Sequence, residues 1–165
     1  MRRAASPTAS RYGCEMASAH FRAGVVVVVR HPDLHRVMVF ERADSPGSWQ
    51  LPQGGLKAGE TPIEGALREL EEETGLTEAH VEVRAEFPDW IAYQWPDHVV
   101  AVKGGVNNRI GQVQKWFLVD IIDPETAPTP DGREFRDWRW VEPSWLIDHV
   151  PEWRRDAYQR VLGTL

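Results

Sequence analysis

The chain has 165 residues, of which 42% are hydrophobic and 27% charged, as expected for one globular domain large enough to bury a core. The net charge of −6 argues against a whole-surface attraction to nucleic acid, so we expect no extended nucleic-acid surface. The single cysteine, Cys14, excludes an internal disulfide and a cysteine-built metal site, and it fits a reducing, cytoplasmic location. The longest apolar run, residues 25–29, is too short to span a membrane.

The N-terminal half is predicted to contain a tail and two buried strands. Residues 1–19 are rich in alanine, serine and arginine without hydrophobic periodicity, which predicts a disordered tail before a domain at residues 20–165. Residues 24–30 form a β-branched run, and residues 36–41 carry apolar groups on both faces. Both patterns are typical of central strands.

A helix is predicted from Pro62 to about Thr74. Thr61 and Glu64 have the spacing of a capping box, Pro62 suits the first helical position, and Gly75 suits the C-cap. The apolar stripe that we expect to pack on a sheet consists of Ile63, Ala66, Leu67 and Leu70.

The C-terminal half is predicted to add three strands and two helices. The strands are expected at 81–87, 115–122 and 134–141, the helices at 143 onward and at 151–162. In the last strand, Trp138 and Trp140 share one face and Arg139 the other. Residues 97–111 contain two glycine and asparagine pairs and are predicted to form a loop or hairpin. The fold class is therefore α/β (α+β).

Three glutamates on the predicted helix are spaced for one face. Glu69, Glu72 and Glu73 stand at i, i+3 and i+4, and only Arg68 is nearby to offset their repulsion. Hard divalent cations with oxygen ligands are one means of neutralising such a cluster. The other interpretation is an acidic, solvated helix face.

Residues 54–76 resemble the Nudix box, Gly-x5-Glu-x7-Arg-Glu-U-x-Glu-Glu-x-Gly-U, in which U is aliphatic. The fixed positions are filled by Gly54, Glu60, Arg68, Glu69, Leu70, Glu72, Glu73, Gly75 and Leu76. The resemblance implies the Nudix αβα sandwich with a central mixed sheet. It also implies Mg²⁺-dependent hydrolysis of a phosphoanhydride bond in a nucleotide, with Mn²⁺ as a second possible ion.

The resemblance also assigns roles within the box. Glu69, Glu72 and Glu73 would be metal ligands, so that an activated water attacks a charge-neutralised phosphate. Arg68 would either brace a glutamate through a bidentate pair or form an exposed ion pair of little consequence. Glu60 would either contact the metal or brace the loop.

Outside the box, Glu134 resembles the residue that supplies a further base or metal ligand in this family. Its alternative role is a surface carboxylate at a loop edge. Asp131 and Asp137 are rivals for the catalytic role.

Similarity to bacterial RNA pyrophosphohydrolases, and to the related plant-type dinucleoside polyphosphate hydrolases, extends over residues 21–162. The segments that carry it are 49–55, 90–96, 111–118, 134–141 and 153–162. By position, the residues near the phosphates or first nucleotides would be Arg22, Arg42, Ser48, Tyr93 and Gln112. Trp153 and Arg154 would lie near a base. Alternatively, Tyr93 and Trp153 are core residues and Arg154 is solvated.

Substrate choice remains open at this level. In the segment directly after Pro96, residues 97–105, only His98 and Lys103 are basic, whereas the RNA enzymes are more basic there. This favours a dinucleoside polyphosphate or an RNA bound only at its 5′ end. The alternatives are a nucleoside triphosphate or nucleotide-sugar pyrophosphatase and, in another class, a non-catalytic nucleotide-binding module. The complete set of box glutamates argues against the last.

Overall fold

The computed structural model describes residues 18–104 and 108–165. Most of the predicted disordered tail, residues 1–17, lies outside the described residues, and so does the 105–107 part of the predicted loop. In the described part of the chain, no helix is long and apolar enough to cross a membrane.

The centre of the fold is one eight-stranded mixed sheet. Its strands are β1 (His20–Arg30), β2 (Val37–Arg42), β3 (Trp49–Gln50), β4 (Gln53–Gly55), β5 (Val81–Glu86), β6 (Ile91–Gln94), β7 (Arg109–Ile121) and β8 (Phe135–Val141). The main path runs β3-β2-β1-β7-β5, while β4 pairs with β1, β6 with β7 and β8 with β2. Only the long β1–β7 pair is parallel among the described pairings, so the predicted mixed sheet is confirmed.

Helices cover both faces of this sheet. They are α1 (Pro62–Thr74), α2 (Asp97–Val99), α3 (Pro143–His149) and α4 (Glu152–Leu162). The predicted stripe of α1 packs on the face that carries Val25, Val27 and Val29, whereas α3 and α4 pack on the opposite face. This arrangement is the expected αβα sandwich.

The ends of α1 agree with the sequence pattern. The Thr61 side chain accepts from the Glu64 N–H, and the Glu64 carboxylate accepts from the Thr61 N–H at 2.8 Å, so the capping box is present. Gly75 adopts the left-handed conformation with φ 71°, and its N–H donates to Glu71 O. These caps fix where α1 begins and ends, and therefore which way its glutamates face.

Residues 97–111 differ from the prediction of a loop or hairpin. The chain forms α2, continues as a π-helical turn over Val100–Gly104, and enters β7 at Arg109. Val99 and Val100 pack against the core, which favours helical turns there. The strand begins early because β7 pairs with β1 as far back as His20, a long-range contact that local sequence does not encode.

The strand over Phe135–Val141 has the predicted facial arrangement. Trp138 and Trp140 pack on the α1 side of the sheet, with ring centroids 6.5 Å apart. The Arg139 guanidinium lies between two other tryptophan rings, 4.0 Å from Trp49 and 4.1 Å from Trp145. Such cation–π contacts fasten β8 to β3 and α3.

Candidate active site

The box glutamates lie where α1 meets β4. The Gln53 N–H donates to Glu73 Oε2 at 3.0 Å, and Glu73 is only 7% exposed. The Glu69 carboxylate lies directly over Gly54, where a Cβ atom would collide with it. Glu72 is more open, with 53% of its side chain exposed. The three carboxylates therefore range from buried to half-exposed along the helix.

Arg68 connects the box loop to the box helix. Its guanidinium donates to both oxygens of Glu60, at 2.6 and 2.9 Å, and to the Gly55 carbonyl at 3.0 Å. It also donates to Glu69 at 2.7 Å and to Glu72 at 3.1 Å. This arrangement matches the bracing role that the resemblance implies. An exposed, weak ion pair does not describe it, because the Arg68 side chain is largely buried.

Glu60 is occupied in holding the loop. The Arg68 hydrogen bonds, together with one from the Lys57 N–H, lower the pKa of Glu60 to about 2. The carboxylate is therefore ionised and engaged on both oxygens. Of the two roles considered for Glu60, the geometry favours bracing the loop.

Glu73 is held in an unusual electrostatic environment. Burial raises the pKa of its carboxyl to about 9, and the Gln53 N–H opposes this rise. The negative charges of Glu134, Glu69 and Asp131 raise it further. Carboxylates from α1 and from the loop before β8 thus converge on one buried group, and a cation there would relieve their repulsion.

The three acidic candidates Asp131, Glu134 and Asp137 lie just before or within β8 and differ in their hydrogen bonds. Asp131 Oδ1 accepts backbone N–H groups from Arg133, Glu134 and Phe135 at 2.9 to 3.1 Å, so Asp131 shapes the turn. Asp137 accepts the Trp138 N–H at 2.8 Å. Glu134 keeps a partly exposed carboxylate, which receives Arg42 Nη1 at 2.7 Å. Of the three acidic candidates, Glu134 is paired with Arg42 through its side chain, whereas Asp131 and Asp137 accept neighbouring backbone N–H groups.

Arg42 and Ser48 lie beside this carboxylate. The Arg42 guanidinium also binds Asp44, at 2.6 and 2.8 Å, so it bridges two acids. The Arg42 N–H donates to Ser48 O at 2.9 Å and closes the loop between β2 and β3. An incoming phosphate at Arg42 would have to compete with these carboxylates.

A cleft of about 470 Å³ opens on the other side of Glu69 and Glu72. Its cationic lining residues are Arg22, Lys57, Arg68 and Arg109. Lys57 Nζ lies 3.3 Å from Glu72 Oε1. Sequence reasoning predicted Arg22 but missed Lys57, Arg109 and the neighbouring Phe21. Lys57 could have been found because it lies inside the box, whereas Arg109 reaches the cleft only through β1–β7 pairing.

The remaining predicted substrate contacts lie in or near the core beneath α4. The Tyr93 hydroxyl donates to Gln112 at 2.9 Å, its ring is 5.5 Å from Trp153, and burial raises its pKa to about 12. Tyr93 is thus buried, and Trp153 is partly buried against the core, as the alternative interpretation held.

The alternative interpretation, in which Arg154 is solvated, is wrong. It is 5% exposed, donates to Gln50 at 2.8 Å and lies 4.7 Å from the Trp153 ring. With the Gln53 amide turned so that its oxygen faces Arg154, the guanidinium also binds that oxygen at 3.2 Å. Arg154 thereby supports β3 and β4, the strands that precede and carry the box loop.

The donor set fits a divalent cation, although the carboxylates are not drawn together as ligands. Over residues 18–104 and 108–165, no three His, Cys, Asp or Glu side chains are grouped closely enough to hold a metal ion. Arg68 stands between Glu69 and Glu72, and Glu73 turns toward Gln53. All candidate ligands are carboxylate oxygens, which Mg²⁺ and Mn²⁺ prefer. The negative charges of Glu134, Glu69 and Asp131 act on the buried Glu73 carboxyl and help to raise its pKa.

Comparison with known sequences gives the family. A sequence model of the NUDIX domain matches residues 20–161. The chain is 40% identical over 145 residues to an RNA pyrophosphohydrolase from Francisella tularensis, covering 86% of this chain and 91% of that protein. It is 36% identical over 155 residues to Nudix hydrolase 25 from Arabidopsis thaliana, covering 87% and 85%. The chain therefore belongs to the Nudix hydrolase family.

Solved structures support the same fold. An Escherichia coli dihydroneopterin triphosphate pyrophosphohydrolase superposes with a TM-score of 0.70 at 20% identity, covering 88% of this chain and 99% of that one. A Caenorhabditis elegans Ap4A hydrolase superposes with a TM-score of 0.66 at 17% identity, covering 87% and 96%. These matches show the fold, while the family and the sequence relatives indicate a pyrophosphohydrolase enzyme.

Proposed function

We propose that the protein is a Mg²⁺-dependent hydrolase that cleaves a phosphoanhydride bond in a nucleotide 5′ polyphosphate. Its substrate is 5′-triphosphorylated RNA or a dinucleoside polyphosphate. One observation carries the proposal: carboxylates suited to a hard cation border a cleft lined by four cationic side chains. A polyphosphate needs both, because its charge must be neutralised while water attacks.

The chain's own residues have distinct tasks in this proposal. Glu69, Glu72 and Glu73 hold the cation, and Glu134 either completes the ligand set or accepts a proton from the attacking water. The bound cation supplies an acidified water and neutralises phosphate charge. Arg68 keeps Glu69 and Glu72 in place, and Arg22 contacts phosphate from the cleft side. Mn²⁺ would serve the same oxygen ligands.

The other residues proposed to contact the substrate fall into two groups. Arg42 is paired with Glu134, and Ser48 accepts the Arg42 backbone N–H. Gln112 lies on β7 and accepts the Tyr93 hydroxyl. Tyr93, Trp153 and Arg154 form a packed layer under α4, so a base would meet the exposed part of Trp153 first. We further propose a cytoplasmic location, in keeping with the single cysteine.

A side-by-side assay with Mg²⁺ tests the function. It compares short 5′-triphosphorylated RNA, diadenosine tetraphosphate, nucleoside triphosphates and ADP-ribose, with products identified and Mg²⁺ omitted as a control. Preference for either of the first two supports the proposal. Preference for a nucleoside triphosphate or ADP-ribose favours the alternative pyrophosphatase. Tight nucleotide binding without Mg²⁺-dependent turnover would indicate a binding module.

A further inference from the structure

An exposed aromatic residue is among those that line the cationic cleft. Phe21 is 40% exposed and lines the cleft with Arg22 and Arg109. The ring rests on β7 at Gly111, where an added Cβ atom would stand only 2.8 Å from Phe21 Cε1. Glycine at this position therefore leaves space for the Phe21 ring beside the strand.

Parallel pairing brings these three side chains together. The register joins His20 to Arg109 and Phe21 to Gly111, with an irregularity between them. That irregularity accommodates one extra residue, Ile110, so that Arg109 pairs with His20, the residue before Phe21. The grouping is a property of the β1–β7 edge, and both strands are anchored deep in the core.

The two arginines differ from those that have structural partners. Arg42 and Arg68 each bind carboxylates, at 2.6 to 3.1 Å. Within residues 18–104 and 108–165, no salt bridge joins Arg22 or Arg109 to a carboxylate. Of the four cations that line the cleft, Lys57 and Arg68 are paired with Glu60, Glu69 and Glu72, so the excess of positive charge rests on Arg22 and Arg109. Such an excess attracts phosphate.

We propose that Phe21, Arg22 and Arg109 form a subsite for a second nucleotide unit. The base stacks on Phe21, and the two guanidiniums hold the phosphates that lead to it. This inference rests on the proposed function and narrows it. The glutamates lie between this subsite and Arg42 beside Glu134, so a polyphosphate that crosses them has a cationic group at each end. A substrate with a nucleoside at both ends, a dinucleoside polyphosphate, uses the whole surface.

5′-Triphosphorylated RNA, the other proposed substrate, would contact these residues differently. The terminal phosphate of 5′-triphosphorylated RNA would engage Arg22 and Arg109 but would leave the ring of Phe21 without a partner. A stacked base is sequence-tolerant and depends on the aromatic face, whereas a phosphate depends on the guanidinium. Phe21 and Arg109 therefore respond differently to substrates that share phosphates and differ in the second nucleoside.

The experiment compares diadenosine tetraphosphate with adenosine 5′-tetraphosphate, which has the same number of phosphates but lacks the second adenosine. For Phe21→Leu, we expect KM for the dinucleotide to rise about tenfold, with kcat nearly unchanged and with no change for adenosine 5′-tetraphosphate. For Arg109→Gln, we expect KM to rise for both compounds, most strongly at low salt. Phe21→Tyr should restore the wild-type KM because it retains the ring.

Trp90→Leu is the matched control, since Trp90 is an aromatic residue of similar exposure, 44%, that does not line the cleft. It should leave both KM values unchanged. Thermal unfolding of each variant reports whether the fold is intact, and the exposed position of Phe21 favours a folded Leu variant.

The outcomes separate the subsite from the function itself. An equal effect of Phe21→Leu on both compounds, or no effect on either, overturns the subsite. A wild-type enzyme for which adenosine 5′-tetraphosphate is as good a substrate or inhibitor as the dinucleotide also overturns it, whichever substrate is cleaved. If turnover is confined to ADP-ribose or nucleoside triphosphates, the proposed function fails as well.

Discussion

The Gln53 backbone N–H donates a hydrogen bond of 3.0 Å to Oε2 of Glu73, and this contact joins β4 to the last turn of α1. The carboxyl thereby receives one donor in a place that is otherwise shielded from water. Burial raises the pKa of Glu73 to about 9, and the negative charges of Glu134, Glu69 and Asp131 add to this rise. A divalent cation bound here, as the proposed function requires, would compete with this proton.

The metal-free protein should lose stability as pH rises. Glu73 has a pKa of about 9 when folded against 4.5 in its ordinary state, so between these values the folded protein binds more protons than the unfolded chain. The free energy of unfolding then falls with rising pH, by at most about 1.4 kcal/mol per pH unit from this group. Glu73→Gln should flatten this slope and abolish Mg²⁺-dependent turnover. Urea unfolding from pH 5 to 9 in EDTA measures this slope. An equal slope in the variant would contradict the conclusion that burial raises the pKa of Glu73.

Glu72→Gln should reduce turnover by orders of magnitude while the fold stays intact. Its side chain is half-exposed, so the change removes a ligand oxygen without opening the core. Glu71→Gln is the matched control, because Glu71 is an exposed neighbour on the same helix that lies outside the cationic cleft. Steady-state kinetics and thermal unfolding measure the two effects. Near-wild-type activity of the Glu72 variant would refute its assignment as a metal ligand.

Arg68→Lys should weaken the response to Mg²⁺. A lysine cannot reproduce the guanidinium fork that holds Glu60, Glu69 and the Gly55 carbonyl at once. We expect the Mg²⁺ concentration for half-maximal activity to rise about tenfold or more, since residues that orient ligands have effects of this size. Arg84→Lys, at a more exposed ion pair, serves as the control. Identical Mg²⁺ titrations for wild type and Arg68→Lys would exclude the bracing role.

Glu134→Gln should cause a smaller but clear loss of turnover and a change in the pH–rate profile. Its carboxylate pairs with Arg42 at 2.7 Å and faces the box glutamates from the loop before β8. Asp137→Asn is the comparison, because Asp137 binds the neighbouring backbone N–H instead. The assay is kcat against pH in saturating Mg²⁺. A profile that is unchanged in the Glu134 variant would remove this residue from the catalytic set.

The helix α1 and its glutamates could be predicted because the information is local. Capping by Thr61 and Glu64, the apolar stripe and the i, i+3, i+4 spacing each involve neighbours within a few residues. The box resemblance covers the same stretch, and its nine matched positions identify the residues expected at the site. The mixed sandwich followed from that resemblance and agrees with the sheet.

The burial of Arg154 could not be predicted from the sequence. Arg154 is a charged residue on a helix, and local pattern alone places such a residue in solvent. In the fold, α4 packs against β6, and the Arg154 guanidinium points inward to Gln50 of β3 and is buried. Residues 97–111 were predicted as a loop for a related reason, because the partner of β7 is β1, far away in the sequence.

The amino-acid sequence by itself determined the chemistry of this protein: a run of carboxylates at helical spacing, with one arginine and a glycine loop, suited to a cation and a phosphoanhydride. Only the tertiary structure decided how these groups differ. Packing of α1 on β4 buries Glu73 and leaves Glu72 open, and parallel pairing of β1 with β7 places Phe21 and Arg109 at one cleft. The physical reason is that spacing acts through the local backbone, whereas burial and charge environment depend on which distant strands become neighbours.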